Sequence, residues 1–377
     1  MRVVSHFVFK SAVGLILAGL AVPALALADK IVVGQSVELS GQATGKEGML
    51  GAQLFFNWIN TSQGGVNGRK IELITYDDQR DPQKTKDNTL KLIKDDHAVA
   101  LLGYRSTPTV QAVLPLLEKN KIPLVAPFSG SQSLYKPMHP YVFNLRASYQ
   151  DEAAKMVESV ALMQIKNIAI LYQDDAFGKD GLAGFEKHLG ARQIKASAIA
   201  KYDRKDLNVD AAVTTIMAAN PAAILMACTP SACADFIKKV KTAGRLPQFM
   251  MLSNVNSEEF FSSLGKLGRG VGVIQVMPAP RNIGVPVVRE FQHALKASSN
   301  PPPVTSAVLE GFIAAKLLAE GIRRSGANLS PQKLVSALES MNDFDLGGIT
   351  LQYGSSQHNG SNFVEMSIVD QNGKMMR

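Results

Sequence analysis

Histidine, cysteine and tryptophan are scarce in this 377-residue chain, with six, two and one copies. Neither Gly-x-Ser-x-Gly nor His-Glu-x-x-His occurs, so no nucleophile and base are assembled for an exported hydrolase. The only cysteines, Cys228 and Cys233, lack the Cys-x-x-Cys spacing of a redox pair, and a zinc site would need two further ligands. In an oxidising compartment they are a candidate disulfide closed over a turn. No dense run of Lys or Arg exists either. A net charge of +8 spread over the whole length is a poor footprint for nucleic acid. Beyond residue 28 no unbroken apolar run reaches the ~20 residues of a membrane span; the uncharged stretch 211–234 is interrupted by Thr214-Thr215 and Asn220-Pro221. What is present is 46% hydrophobic and 19% charged residues, ample for packed cores and unlike a disordered chain.

The N-terminus sets the compartment. Arg2 and Lys10 precede an uncharged run over 11–22, and Ala26-Leu27-Ala28 places small residues where a signal peptidase reads. That order is a cleaved secretory signal over 1–28. The competing assignment, a membrane anchor, is short and interrupted by Pro23. The mature chain is therefore expected to be exported. A DNA-binding regulator would carry a helix-turn-helix at this end instead.

From Lys30 onward, short β-rich runs alternate with helix-period runs. Strands are expected over 31–37, 70–76, 98–102 and 123–126, with helices over 48–59, from Pro82, and over 110–118. Trp58 falls on the packed face of the first helix. A second series places strands over 167–172, 195–200, 222–227, 248–252 and 271–276, with helices over 151–163, 178–189, 209–219 and 231–243. Such alternation implies βαβ units and parallel sheets, so the fold class is α/β, with two doubly wound lobes joined by more than one crossover. The helices over 287–297, 306–325 and 331–341 have no sheet of their own and should pack back onto an earlier lobe. Strands over 349–353 and 362–370 end the chain.

Candidate chemistry collects at strand ends. Gly41-Gln-Ala-Thr-Gly45-Lys46 has three residues between its glycines and Glu47 where a phosphate loop needs Ser or Thr. Asp77-Asp78 and Asp174-Asp175 each follow a strand and are read as helix caps or hinge contacts ahead of a metal pair. Tyr104, Ser106, Thr107 and Thr109 follow one strand; Phe128, Ser129, Gly130 and Ser131 follow the next. In open α/β sheets ligands sit beyond the carboxyl ends of strands, often at helix N-termini, and these two clusters offer hydroxyls and N–H groups to a carboxylate. Plain N-capping is the competing explanation for each cluster alone.

Gly64-Gly-Val-Asn-Gly68-Arg-Lys-Ile-Glu-Leu followed by Tyr76-Asp-Asp-Gln-Arg-Asp81-Pro82 resembles the leucine/isoleucine/valine-binding protein family, the type I periplasmic receptors of ABC importers. Leu39-Ser40-Gly41, Phe177-Gly178-Lys-Asp-Gly-Leu182, Gln248-Phe249-Met250 and Glu310-Gly311-Phe312 extend the resemblance across the mature chain. It implies two lobes joined by a three-crossover hinge, with crossings near 146–149, 273–278 and 345–349. The lobes would then be 29–147 plus 276–346, and 148–275 plus 347–377. It also implies a monomer in the periplasm, without cofactor or metal, that clamps a small molecule and docks on a membrane permease. A periplasmic receptor feeding a signalling protein would use the same fold and is the alternative.

Carried over by position, the resemblance implies a ligand carboxylate held at Thr107 beside Ser106, and an ammonium on the Phe128 carbonyl. The family's threonine two positions on is Gly130 here, with Ser129 and Ser131 beside it. Phe177 keeps the ring of a second-lobe aromatic, Thr229 stands where the family has tyrosine, and Ser253, next to Asn254, stands where the acid that pairs with the ammonium is expected. Asp175 and Glu310 are the acids left to substitute. A buried ammonium without a carboxylate is costly, so the expected ligand is either an amino acid, branched-chain or other, or an amine-free carboxylate.

Overall fold

The computed structural model describes residues 30–41, 43–371 and 375–376. The signal segment read over 1–28 lies outside them. The first lobe opens with strand β1 (Ile31–Val37), helix α1 (Ala43–Ser62), β2 (Ile71–Asp77), α2 (Pro82–Lys94), β3 (Ala100–Leu102), α3 (Thr107–Asn120), β4 (Leu124–Val125) and β5 (Val142–Phe143). Its sheet is wholly parallel, in the order β2-β1-β3-β4-β5. Apolar runs buried on both faces, such as Ala100–Leu102, are what a parallel sheet covered by helices demands. The order reverses between β1 and β3, and at such a switch point the flanking loops diverge and leave a crevice.

The second lobe adds α4 (Tyr149–Leu162), β6 (Ile168–Gln173), α5 (Ala176–Gly190), β7 (Ala198–Tyr202), α6 (Asp210–Ala218), β8 (Ala223–Ala227), α7 (Pro230–Thr242), β9 (Gln248–Met251), α8 (Glu258–Leu264) and β10 (Gly272–Gln275). The chain then returns to the first lobe as α9 (Pro286–Ala297), α10 (Ser306–Ser325), α11 (Pro331–Glu339) and a hairpin of β11 (Asn342–Asp345) and β12 (Thr350–Gln352). It finishes in the second sheet with β13 (Glu365–Val369) and β14 (Met375–Met376). That sheet runs β14-β13-β10-β9-β8-β6-β7, parallel except for its last two strands, with its own reversal between β6 and β8.

The helices without a sheet do pack back. α10 is buried almost all round, as a helix in a core must be, and its Phe312 stacks near Trp58 of α1, with ring centroids 6.3 Å apart. Two glycines let these helices touch: a Cβ on Gly51 would lie 1.9 Å from the Val308 carbonyl oxygen, and one on Gly311 2.0 Å from that of Gly48.

Three segments cross between lobes. The first passes Arg146 and Ser148, which caps α4 in a reciprocal capping box with Asp151. The second runs from β10 to α9. The third comes later than the 346/347 boundary expected from sequence. Tyr353 Oη donates to the Asn144 carbonyl, His358 stacks on Phe143 at 4.0 Å, and Ser361 N donates to the Leu145 carbonyl. The β11–β12 hairpin and the loop after it thus stay with the first lobe, and the crossing falls between Asn362 and Glu365. The apolar seam of Leu351 and Tyr353 against Phe143 holds them there.

Candidate functional site

Both switch points open onto one cleft. In the first lobe, Gly103 (φ +63°) ends the β3 turn, and Ser106, at φ +83°, precedes α3 in a region that costs a non-glycine residue about 1–3 kcal/mol. Thr107 and Ser129 are fully buried and 2.8 Å apart, oxygen to oxygen, tying the β3 and β4 ends together. Ser131 N also donates to Ser129 Oγ at 3.3 Å. Phe128 N donates to the Tyr104 carbonyl, and its ring sits so close to α1 that a Cβ on Gly48 would come within 2.1 Å of it. Gly130 faces the first crossover: its carbonyl accepts from Tyr149 N at 2.6 Å, and an added Cβ would lie 2.8 Å from that nitrogen. The backbone occupies the space a threonine would need at this position.

The second lobe supplies Phe177, Thr229, Ser253 and Asn254. Phe177 stands edge-on to Tyr149 at 5.2 Å. Thr229 precedes α7, with its hydroxyl 3.1 Å from Tyr202 Oη. Cys228 and Cys233 flank that helix start and are joined by a buried disulfide, their Cα atoms 5.5 Å apart. Ser253 donates to the Glu152 carboxylate from N at 2.7 Å and from Oγ at 2.9 Å. Asn254 donates to the Cys228 carbonyl, and its buried Oδ1 has no hydrogen bond among the described residues.

Four arginines that sequence reasoning did not single out dominate the electrostatics. Arg105 reaches Glu38 at 3.9 Å and the Asn254 carbonyl at 3.4 Å; burial, then Arg80, pull its pKa down to about 10. Arg80 lies 3.8 Å from Glu38. Arg204 pairs with Asp175 at 3.0 Å and donates across the cleft to the Arg80 carbonyl at 2.7 Å and to Ser106 Oγ at 3.3 Å. Arg146, in the first crossover, bonds Ser253 Oγ and sits 3.7 Å from Glu152 and 3.6 Å from Glu310. Burial raises Glu152 to about 7 against the pull of Arg146, and raises Glu310 as well. Nothing local marks these arginines in sequence except Arg105, which stands directly before the Ser106-Thr107 helix start.

Two cavities of about 30 Å3 each lie side by side in the cleft. Ser106, Thr107, Phe177 and Thr229 line one, Ser253 and Glu310 the other, and Arg105, Phe128 and Asn254 wall both. Ser129 and Gly130 line neither. A larger groove of about 590 Å3, edged by Asn and Gln of the third crossing, lies outside the cleft and gathers fewer charged groups. The aspartate pairs are structural. Asp77 accepts from Leu39 N and Gln79 N, Asp175 accepts from Gly178 N at the α5 start, and Asp174 pairs with Lys179 and Lys201 on the surface. Asp78 is buried and raised to about 6 by that burial. Among the described residues no three His, Cys, Asp or Glu side chains cluster as a metal would require. The cleft offers hydroxyls, guanidinium groups and ring faces, which is the chemistry of holding an anion with an organic body.

A family model described as Periplasmic binding protein matches residues 30–374. A substrate-binding periplasmic protein from Ralstonia solanacearum superposes with a TM-score of 0.87 at 34% identity, over 92% of this chain and 99% of that one. A possible leucine/isoleucine/valine-binding protein from Rhodopirellula baltica superposes at 0.88 with 27% identity, over 93% and 97%. A Pseudomonas aeruginosa protein named amino acid binding protein is 25% identical over 84% of this chain and 83% of its own length.

Proposed function

The chain belongs to the periplasmic binding protein family, and on that footing we propose that it is the periplasmic receptor of an ABC importer, capturing a small amino acid or related carboxylate between its lobes and delivering it to a membrane permease. The observation that carries this reading is the closed cleft itself. Arg204 and Arg105 reach from one lobe to the other, across a pair of cavities walled by hydroxyls and cations from both. A ligand that touches both lobes favours closure by its differential affinity for the closed state. The carboxylate belongs at Ser106 and Thr107, where α3 presents its N-terminus, with Phe128 and Phe177 against its body. Among the described residues, this cleft is where the switch points of both sheets converge. No helix among those residues is long and apolar enough to cross a membrane.

A thermal-shift screen on protein beginning at Asp29, unfolded and refolded to strip bound ligand, tests the proposal. At about a hundred times its dissociation constant a ligand stabilises by about 2.7 kcal/mol. Amino acids and small organic acids are expected to contain at least one compound that raises the melting temperature. A panel of sugars, amides and polyamines shifting it instead would overturn the carboxylate reading.

A further inference from the structure

Resting on the receptor reading above, the structure assigns Arg105 as the anchor of the ligand carboxylate and makes that ligand an acid without an ammonium group. Arg105 stands between the two cavities, and its side chain is only 11% exposed. Among the described residues its five N–H donors find one hydrogen bond, at 3.4 Å, and one distant ion pair, at 3.9 Å. A buried guanidinium with so few partners is an acceptor-seeking fork, and a carboxylate satisfies it in bidentate fashion. Its position fits, because Arg105 directly precedes the Ser106-Thr107 helix start where a carboxylate also meets backbone N–H groups.

The ammonium has no counterpart. The cavity walled by Ser106, Thr107 and Phe177 carries Arg80 and Arg105 and no acid. The other cavity has a single acid, Glu310, which lies 3.6 Å from Arg146, so that carboxylate already has its cation. Ser253 is neutral and its hydroxyl and N–H are turned onto Glu152. Two acceptors that wall the cleft have no hydrogen bond among the described residues, the amide oxygen Asn254 Oδ1 and the hydroxyl Thr44 Oγ1, and both suit a neutral donor such as a hydroxyl. An ammonium here would sit among guanidinium groups with an amide oxygen and a hydroxyl as partners, and a buried charge so placed is strongly disfavoured.

Isothermal titration of the refolded mature protein with matched acids decides the matter. The series are leucine, 2-hydroxy-4-methylpentanoate and 4-methyl-2-oxopentanoate; phenylalanine, phenyllactate and phenylpyruvate; alanine, lactate and pyruvate; and benzoate. An amine-free acid is expected to bind on the order of tenfold or more tighter than every amino acid in the panel, as befits one lost charged hydrogen-bond partner. Arg105→Gln should then weaken that acid by about 10–100-fold, with Arg105→Lys recovering part of the loss. Glu310→Gln should tighten it by removing a negative charge from the wall. An amino acid binding as tightly as its amine-free partners, with Glu310→Gln abolishing that binding, would overturn the inference and leave the carboxylate receptor standing. No acid binding at all would overturn both. If Arg105→Gln fails to fold, the wild-type series by itself still separates amine-free acids from amino acids.

Discussion

At residue 130 the first crossover leaves no room for a side chain. Gly130→Thr should push Tyr149 off its 2.6 Å hydrogen bond and, as overpacking of a filled site, cost about 1–3 kcal/mol, read as a lower melting temperature in thermal denaturation. Gly130, where the resemblance implies a threonine, is matched to this close backbone approach, which a sequence without spatial neighbours does not display. The missing acid at Ser253 has a similar explanation. Glu152, a hundred residues away in sequence, lies against it and is buried with Arg146. Burial raises the Glu152 pKa to about 7 from 4.5, so the native state holds a proton that the unfolded chain gives up. Its contribution to stability is complete below about 4.5 and is lost as pH climbs through 7. Melting temperatures of the wild type and Glu152→Gln between pH 4 and 8 should show the slope flattened in the variant; parallel curves would contradict this assignment. Arg80, Arg146 and Arg204 were illegible in the sequence because each lies in a different loop and only folding brings them together.

Among the elements, those with a strong pattern were legible. The β1 run Ile31–Val37 and helix α10 at Ser306–Ser325 carry the same bounds in sequence and structure. β11 was not legible, because Asn342–Asp345 reads Asn-Asp-Phe-Asp, with three of four side chains polar. Its strand exists through pairing with β12 across a turn in which Asp345 accepts from Gly347 N and Gly348 N, both glycines at positive φ. The α1–α10 contact likewise rests on glycines whose role needs the partner helix. Gly311→Ala would place a methyl 2.0 Å from the Gly48 carbonyl oxygen and force the helices apart. A loss of about 1–3 kcal/mol is expected in chemical denaturation, with unchanged m-value if the two-state transition is kept. Gly190→Ala, whose Cβ meets nothing within 4 Å, is the matched control.

Among the described residues several polar contacts hold the whole molecule closed, Glu258 N donating to Glu47 and Ser306 Oγ to Gln275 among them. Besides Arg204 and Arg105, Asp180 of α5 accepts from Gln132 N of the first lobe at 3.1 and 3.2 Å, and burial raises its pKa to about 6. An opened cleft returns that carboxylate to solvent and to its ordinary range, so the closed state binds the extra proton. Affinity measured by titration calorimetry should therefore tighten several-fold from pH 8 to pH 5, and Asp180→Asn should flatten the dependence. Arg204→Gln removes the bridge to the Arg80 carbonyl and to Ser106, and should weaken binding by about tenfold or more at the cost of a charged hydrogen bond. Both effects follow from one claim, that ligand and lobe closure are coupled. Small-angle X-ray scattering of the refolded protein, with and without a saturating hit from the thermal-shift screen, tests that claim most directly. The account requires a smaller radius of gyration with ligand and a bound-state profile that fits the closed arrangement described here; an unchanged radius and profile on saturation would contradict it.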